Sequence, residues 1–103
     1  MPKVSVKDKI YECEVKRPYI VNGERVYLWR TKNVRDALLD GDREFRCKDC
    51  HGAVKLFRKH VEHAAAPHAE HIEKQDSEYC VAGMYFKEAK DGRKPRLSLM
   101  PVD

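Results

Sequence analysis

Hydrophobic and polar residues alternate along the first third of the chain, which is typical of β-strands with one buried face. In IYECEV, Tyr11, Cys13 and Val15 share one face, and two glutamates occupy the other. The following β-prone run, YIVNGERVYLW, is interrupted by an Asn-Gly pair, and both residues tolerate the positive φ of a type I′ turn. The pattern therefore predicts a β-hairpin over residues 10–30.

Helical spacing replaces this alternation in TKNVRDALLDGD, where Thr31 or Asn33 is a candidate N-cap and Gly41 a stop signal. Alternation returns in VKLF, which predicts a strand from Val54. The segment AAAPHAEHIEKQ is typical of a helix with Pro67 near its first turn. The segment YCVAGMYFKEA predicts a final strand.

Together these elements predict a small α+β fold in one domain, because 103 residues suit a single compact unit. We expect one domain over residues 1–103, with the β-hairpin at 10–30, a central module at 31–86 and a loose tail at 87–103. Hydrophobic residues make up 42% of the chain and charged residues 37%. The hydrophobic core is therefore small, and a bound metal would stabilise it.

The compartment follows from what the sequence lacks. No apolar run approaches the roughly 18 residues that a membrane span needs, and the start MPKVSVKDK has no apolar signal-peptide stretch. We therefore expect a cytoplasmic protein without a membrane partner, whose four cysteines stay reduced. In that setting a Cys-x2-Cys pair indicates metal binding or redox chemistry, and clustered histidines favour metal.

The formal net charge is +4, distributed as about +3 over residues 1–46, about −1 over 47–80 and about +2 over 81–103. This balance permits nucleic-acid binding that is weak, sequence-tolerant and salt-sensitive. Trp29 and Tyr27 are candidates for stacking on bases, or for the core of the hairpin. The candidate phosphate contacts in the basic flanks are Arg25, Arg30, Lys32, Arg35, Lys90, Arg93, Lys94 and Arg96.

The candidate chemistry is concentrated in CKDCHGAVKLFRKHVEHAAAPHAEH, which holds two cysteines and all five histidines. Gly52 follows the second cysteine by two places, where a chain that turns around a metal needs backbone freedom. This arrangement is typical of a zinc knuckle between two strands. It predicts one Zn²⁺ per chain, with Cys47 and Cys50 as ligands, so that residues 31–86 form the zinc module of a single zinc-binding domain.

Three sets of remaining ligands are compatible with the spacing. The first, Cys-x2-Cys-x12-His-x4-His, uses His63 and His68 as in a two-Cys, two-His finger, but Pro67 interrupts the helix that such a finger requires. The second uses His68 and His71, which are neighbours one helical turn apart. The third replaces one of these histidines with Cys80. His51, His60 and His63 are more typical of surface groups.

The segment VRDALLDGDREFRCKDCHGAVKLF, followed by APHAEH and DSEYC, resembles the N-terminal zinc-ribbon-like module of the CoiA-like competence-protein family. The resemblance covers roughly residues 31–80. Ala69 stands where that family has Phe, and the nuclease-like region that follows the module in longer members is missing, so no nuclease activity is inferred. The metal ligands that the resemblance implies are Cys47, Cys50, His68, His71 and Cys80.

These observations predict a small zinc-stabilised binding module for nucleic acid or a protein partner, without catalysis. A small-molecule substrate is not expected, because no nearby carboxylate stands in a known catalytic spacing relative to the metal ligands. The alternative function is a metal-dependent enzyme in which His71 or Cys80 is free and a water molecule takes its place on zinc.

Overall fold

In the computed structural model, which describes residues 8–58 and 66–103, five strands and three helices form an α+β fold with two antiparallel sheets. The predicted fold class is therefore confirmed. The elements in chain order are β1 (Glu12–Val21), β2 (Glu24–Asn33), α1 (Val34–Asp40), β3 (Phe45–Arg46), β4 (Val54–Phe57), β5 (His68–His71), α2 (Lys74–Glu78) and α3 (Met84–Glu88).

The N-terminal hairpin forms as the alternation predicts. Strands β1 and β2 pair over ten consecutive residues each, and Asn22 and Gly23 make the turn with φ values of 52° and 80°. Positive φ at both positions is the geometry of a type I′ turn, which an Asn-Gly pair adopts without steric cost. The short strand β3 pairs with Glu14 and Val15 on the other side of β1, so the sheet order is β2-β1-β3.

Helix α1 is also confirmed, and its ends follow the predicted capping signals. The side chain of Asn33 accepts a hydrogen bond from the Arg35 amide at 2.9 Å. Gly41 ends the helix in the left-handed conformation, and its amide donates to the last-turn carbonyl of Leu38. The buried side chains of Val34 and Ala37 then pack against the base of the hairpin.

The predicted helix carrying the histidine ligands is wrong: both His68 and His71 lie in β5, which pairs antiparallel with β4. Ala69 also exchanges two backbone hydrogen bonds with Ile10, at 2.7 and 3.3 Å. Backbone hydrogen-bond partners on both sides therefore satisfy the amide and carbonyl groups of this segment when it is a strand. The helix begins only at Lys74, after the ligand-bearing residues.

The predicted final strand is also wrong, because its sequence forms a turn followed by α3. Gly83 precedes the helix, and its amide donates to the Cys80 carbonyl at 2.7 Å. A Cβ atom at this position would lie 2.0 Å from the Ser77 carbonyl oxygen. Close approach to α2 therefore requires a glycine here, and the turn excludes an extended strand.

The predicted loose tail begins at residue 87, but α3 runs to Glu88, and residues 89–103 contain no helix or strand. Their backbone is nevertheless attached to the cysteine loop. The Ser98 amide donates to the Cys50 carbonyl and the Val102 amide to the His51 carbonyl, both at 2.8 Å. The tail therefore covers one side of the candidate metal site.

The hydrophobic core contains few large side chains. Its largest fully buried members are Val34 and the four cysteines, and of the larger apolar residues among those described only Ile10, 4% exposed, is also buried. The core residues are Ile10, Cys13, Val15, Val34, Ala37, Cys47, Cys50, Val54, Ala69 and Cys80.

Among the described residues, no helix is both long enough and apolar enough to cross a membrane.

Candidate metal centre

Four potential ligands from three separate parts of the chain converge in the core. Cys47 and Cys50 come from the loop between β3 and β4, His71 ends β5, and Cys80 lies in the turn between α2 and α3. Their ligand atoms all lie within 4.8 Å of one another. The Sγ atoms of Cys47 and Cys80 are 3.6 Å apart, and Cys50 Sγ is 3.5 Å from His71 Nε2. This group is positioned to bind one metal ion.

Each of the three sulfur atoms faces a backbone amide two residues further along the chain. Such N–H···S contacts favour the thiolate, because an amide hydrogen is attracted to negative charge on the acceptor. The same local geometry therefore recurs at Cys47, Cys50 and Cys80. The donors are the amides of Asp49 at 3.4 Å, Gly52 at 3.3 Å and Ala82 at 3.4 Å.

The glycine after the second cysteine is required for space and not for backbone freedom. The positive φ in this loop belongs to His51, at 64°, whereas Gly52 has no positive φ. A Cβ atom on Gly52 would lie 2.3 Å from Asp76 Oδ2 and 3.2 Å from Cys50 Sγ. The expectation that this glycine supplies backbone freedom was therefore wrong, and the glycine instead admits α2 close to the cysteine loop.

The imidazole of His71 is oriented by Asp8. Its Nδ1–H donates to Asp8 Oδ2 at 2.8 Å, so Nε2 is the nitrogen that faces the sulfur atoms. A carboxylate in this position selects the tautomer that a metal ligand needs. Asp8 also accepts hydrogen bonds from the His71 amide at 2.8 Å, Ser77 Oγ at 2.7 Å and the Met84 amide at 2.6 Å.

Without a cation, the electrostatics of the site favour negative charge on Asp8 and Cys47 but oppose it on Cys50. Burial opposes ionisation of Asp8, but hydrogen bonds from His71, Met84 and Ser77 outweigh it and lower the pKa to about 2. Hydrogen bonds from Cys50 and Cys80 lower the pKa of Cys47, whereas the adjacent Cys47 sulfur raises the pKa of Cys50. A second thiolate therefore needs positive charge beside it, which a divalent metal supplies.

Of the five predicted ligands, His68 alone lies outside the group. Its Nε2 is 2.8 Å from Glu70 Oε2 and its Nδ1 is 3.0 Å from the Ala66 carbonyl oxygen, so both ring nitrogens face oxygen acceptors. The ring stacks on Phe57 at 5.2 Å between centroids. Residues three apart lie on one side of a helix but on opposite faces of a strand, so only His71 reaches the sulfur atoms.

The other candidates have different positions. The described residues do not include His60 and His63. The hypothesis of a two-Cys, two-His finger, which uses His63, therefore also falls outside them. His51 is outside the group, with its Nε2 3.8 Å from Glu14 Oε1. Cys13 is fully buried but is not a member of the group, and burial raises its pKa to about 11, which keeps it a thiol. The sequence reasoning also missed Asp8, because no motif connects it to a histidine 63 positions away.

A family model for a domain of unknown function matches residues 4–103. Comparison with curated proteins and with solved structures found no significant match. The family match covers nearly the whole chain, including Asp8 and all four members of the candidate site. The resemblance to the CoiA-like module stays a prediction, since none of these comparisons tests it.

The ligand set predicts a clear order of metal affinities among single variants. Cys47→Ser and Cys50→Ser abolish binding, and His71→Ala and Cys80→Ser impair it severely, because each removes one of four convergent donors. His68→Ala is the matched histidine control and retains full affinity. Metal content after dialysis against a weak chelator measures the series. Loss of metal in His68→Ala with retention in His71→Ala would contradict this assignment.

Asp8→Asn should weaken metal binding by roughly 10- to 100-fold while leaving stoichiometry intact, because orientation of a ligating histidine by a carboxylate typically contributes that much. A competition titration with a chromophoric chelator provides the measurement. Asp91→Asn is the control, since Asp91 is an exposed carboxylate paired with Arg93. Equal affinities for the two variants would show that the contact between Asp8 and His71 does not support the site.

Proposed function

Because the chain belongs to this family of unknown function, we propose its role from the metal centre: a small binding module that zinc stabilises and that has no catalytic activity. The observation that carries the proposal is the convergence of three buried cysteines and one buried imidazole from three segments. A site of this kind joins parts of the chain that the small core alone holds weakly.

Zinc is the metal that this donor set supports best. Three thiolates and one imidazole form a common structural zinc site, with Zn–S bonds of about 2.3 Å and Zn–N bonds of about 2.0–2.1 Å. Tetrahedral geometry at those lengths separates two sulfurs by about 3.8 Å and a sulfur from a nitrogen by about 3.6 Å. The distances of 3.6 Å between Cys47 and Cys80 and 3.5 Å between Cys50 and His71 agree with these values.

Burial of the donors supports a structural role for the metal. A cavity of about 310 Å³ borders Cys50 and Cys80, yet each of these residues is only 1% exposed, and the His71 side chain is fully buried. A catalytic zinc keeps one position open to water. The alternative enzyme would need His71 or Cys80 to withdraw, and Asp8 and the Ala82 amide hold these two ligands in place.

Removal of zinc should unfold the domain. We expect one Zn²⁺ per chain, and loss of the cooperative thermal transition after treatment with a strong chelator, because binding energy becomes folding energy when the unfolded chain has no site. Metal analysis and circular dichroism test this. A metal-free sample that stays cooperatively folded would contradict the proposal. In a cobalt-substituted sample, the absorption of a closed tetrahedral thiolate site would separate the module from the alternative enzyme.

The partner that the surface supports best is a single-stranded nucleic acid. Tyr27 is 54% exposed and shares one face of the hairpin with the half-buried Trp29. The Lys16 ammonium lies 5.9 Å from the Tyr27 ring centroid and 5.8 Å from that of Trp29, and the Arg46 guanidinium lies 4.2 Å from Trp29. Exposed aromatic rings beside cations suit base stacking combined with phosphate contacts.

The basic flanks divide into paired and exposed groups. Lys32 contacts both Asp40 and Asp42, and Arg93 is paired with Asp91 at 2.6 Å, so acidic neighbours reduce their attraction for phosphate. Each flank therefore loses one cation, and Lys90, Lys94 and Arg96 of the tail stay exposed. The proposed module takes its phosphate contacts first from the hairpin side, because that side also carries the aromatic pair. The exposed arginines of this side are Arg25, Arg30 and Arg35.

Nucleic-acid binding should be weak and steeply salt-dependent. Each phosphate contact adds about 0.7 to the slope of log affinity against log salt for a single strand, so three or four contacts lose most binding by physiological salt. Tyr27→Ala should weaken binding of a short single strand by about 1–3 kcal/mol, the usual contribution of one stacked base. Fluorescence anisotropy at two salt concentrations measures both effects.

Tyr11→Ala is the matched control, because Tyr11 is similarly exposed at 46% but lies before β1, away from the aromatic pair. A triple change of Arg93, Lys94 and Arg96 to Ala separately tests the tail. No binding at low salt, or binding indifferent to every change, would contradict the nucleic-acid proposal and favour a protein partner.

A further inference from the structure

The hairpin has two open edges of different character. On one side of β1, β3 pairs only with Glu14 and Val15, so the segment 16–21 extends beyond it. On the other side of the sheet, β2 has β1 as its one neighbouring strand among the described residues. Open edges present unpaired amide and carbonyl groups, and proteins usually protect them with proline, bulges or short strands.

The edge of β1 is protected in this way. The Lys16 amide donates to the Glu44 carbonyl on the β3 side at 3.1 Å, so the amides of alternate residues along β1 point in that direction. Pro18 is the next residue of that series, and it has no amide hydrogen to offer. A further strand therefore cannot form a complete ladder along this edge.

The edge of β2 lacks these backbone devices, and the charged side chains along it are of both signs. The segment ERVYLWRTKN contains no proline, and its ten pairs with β1 run without a bulge. Tyr27 stands opposite Pro18, whose backbone points away from β2, so this is a non-hydrogen-bonded pair of the hairpin. The amide and carbonyl of Tyr27, like those of Arg25 and Trp29, therefore point outwards to the open side.

We propose that this edge pairs with β2 of a second copy of the chain, antiparallel and about a two-fold axis at Tyr27, to give a continuous six-stranded sheet. All seven opposed positions between residues 24 and 30 are then complementary, combining apolar, aromatic, cation–aromatic and ionic pairs. The opposed pairs are Tyr27 with Tyr27, Val26 with Leu28, Arg25 with Trp29, and Glu24 with Arg30.

The exposure and the charges of β2 favour a second copy of the chain as its partner, and they favour the register centred on Tyr27. Tyr27 and Leu28 are 54% and 42% exposed, so their apolar surface is accessible for burial. In the next register, centred on Leu28, Val26 would face Arg30 and lose its apolar partner. Glu24 would then face Lys32, whose ammonium already contacts Asp42 at 2.7 Å. The register centred on Tyr27 has neither defect.

Sedimentation velocity over a concentration series tests the dimer, using the zinc-loaded protein. Glu24→Arg should raise the dimer dissociation constant by roughly tenfold, because two attractive cross-strand pairs become repulsive. Arg30→Glu should have the same effect, and the double variant should restore the parent value. Glu88→Arg is the matched control, an exposed reversal on α3 that leaves dimerisation unchanged.

A parent protein that stays monomeric at its highest soluble concentration would overturn the proposal. Single charge reversals that leave the dimer dissociation constant unchanged would also overturn it. The same holds if Lys32→Glu, and not Arg30→Glu, restores dimerisation of Glu24→Arg, because that result would require the register centred on Leu28. Zinc content and circular dichroism establish that each variant is folded. The dimer test is independent of nucleic acid, because it uses the strand edge and no added ligand.

Discussion

Three sulfur atoms and one imidazole nitrogen lie close together in a space with almost no access to water, and the other elements of the domain pack around them. Thiolates so close together repel one another unless a cation lies between them. The surrounding core cannot replace that cation, because its largest fully buried side chains are a valine and the cysteines themselves. Packing of the core and binding of the metal therefore depend on each other in this chain.

The parts of the fold that the sequence predicted correctly are those with local causes. Positive φ is permitted at Asn22 by its short polar side chain and at Gly23 by the lack of a Cβ atom, and that turn sets the register of the whole hairpin. Asn33 and Gly41 likewise delimit α1 through contacts within a few residues. The Cys-x2-Cys spacing indicated a metal loop for the same reason, since both sulfurs belong to one turn of chain.

The features that the sequence predicted wrongly, or did not indicate, have causes that are distant in the chain. The sequence HAEH is compatible with a helix, but it forms a strand because β4 and Ile10 provide backbone partners on its two sides. That change of secondary structure decides which histidine joins the site, because His68 and His71 share a helical face but not a strand face. Asp8 has no sequence signal at all, since its partners His71 and Met84 are distant in the chain.

The hydrogen bonds of Asp8 also have a consequence for the order of folding. Its bond to the Met84 amide spans 76 positions in a chain of 103 residues. Closing so long a loop costs conformational entropy before any contact compensates for it, and chains dominated by distant contacts fold slowly. During synthesis, the hairpin can form as soon as its residues leave the ribosome, whereas the ligand group stays incomplete until Cys80 and Met84 have emerged. The metal centre is therefore the last part of the domain to be completed, by residues from its C-terminal part.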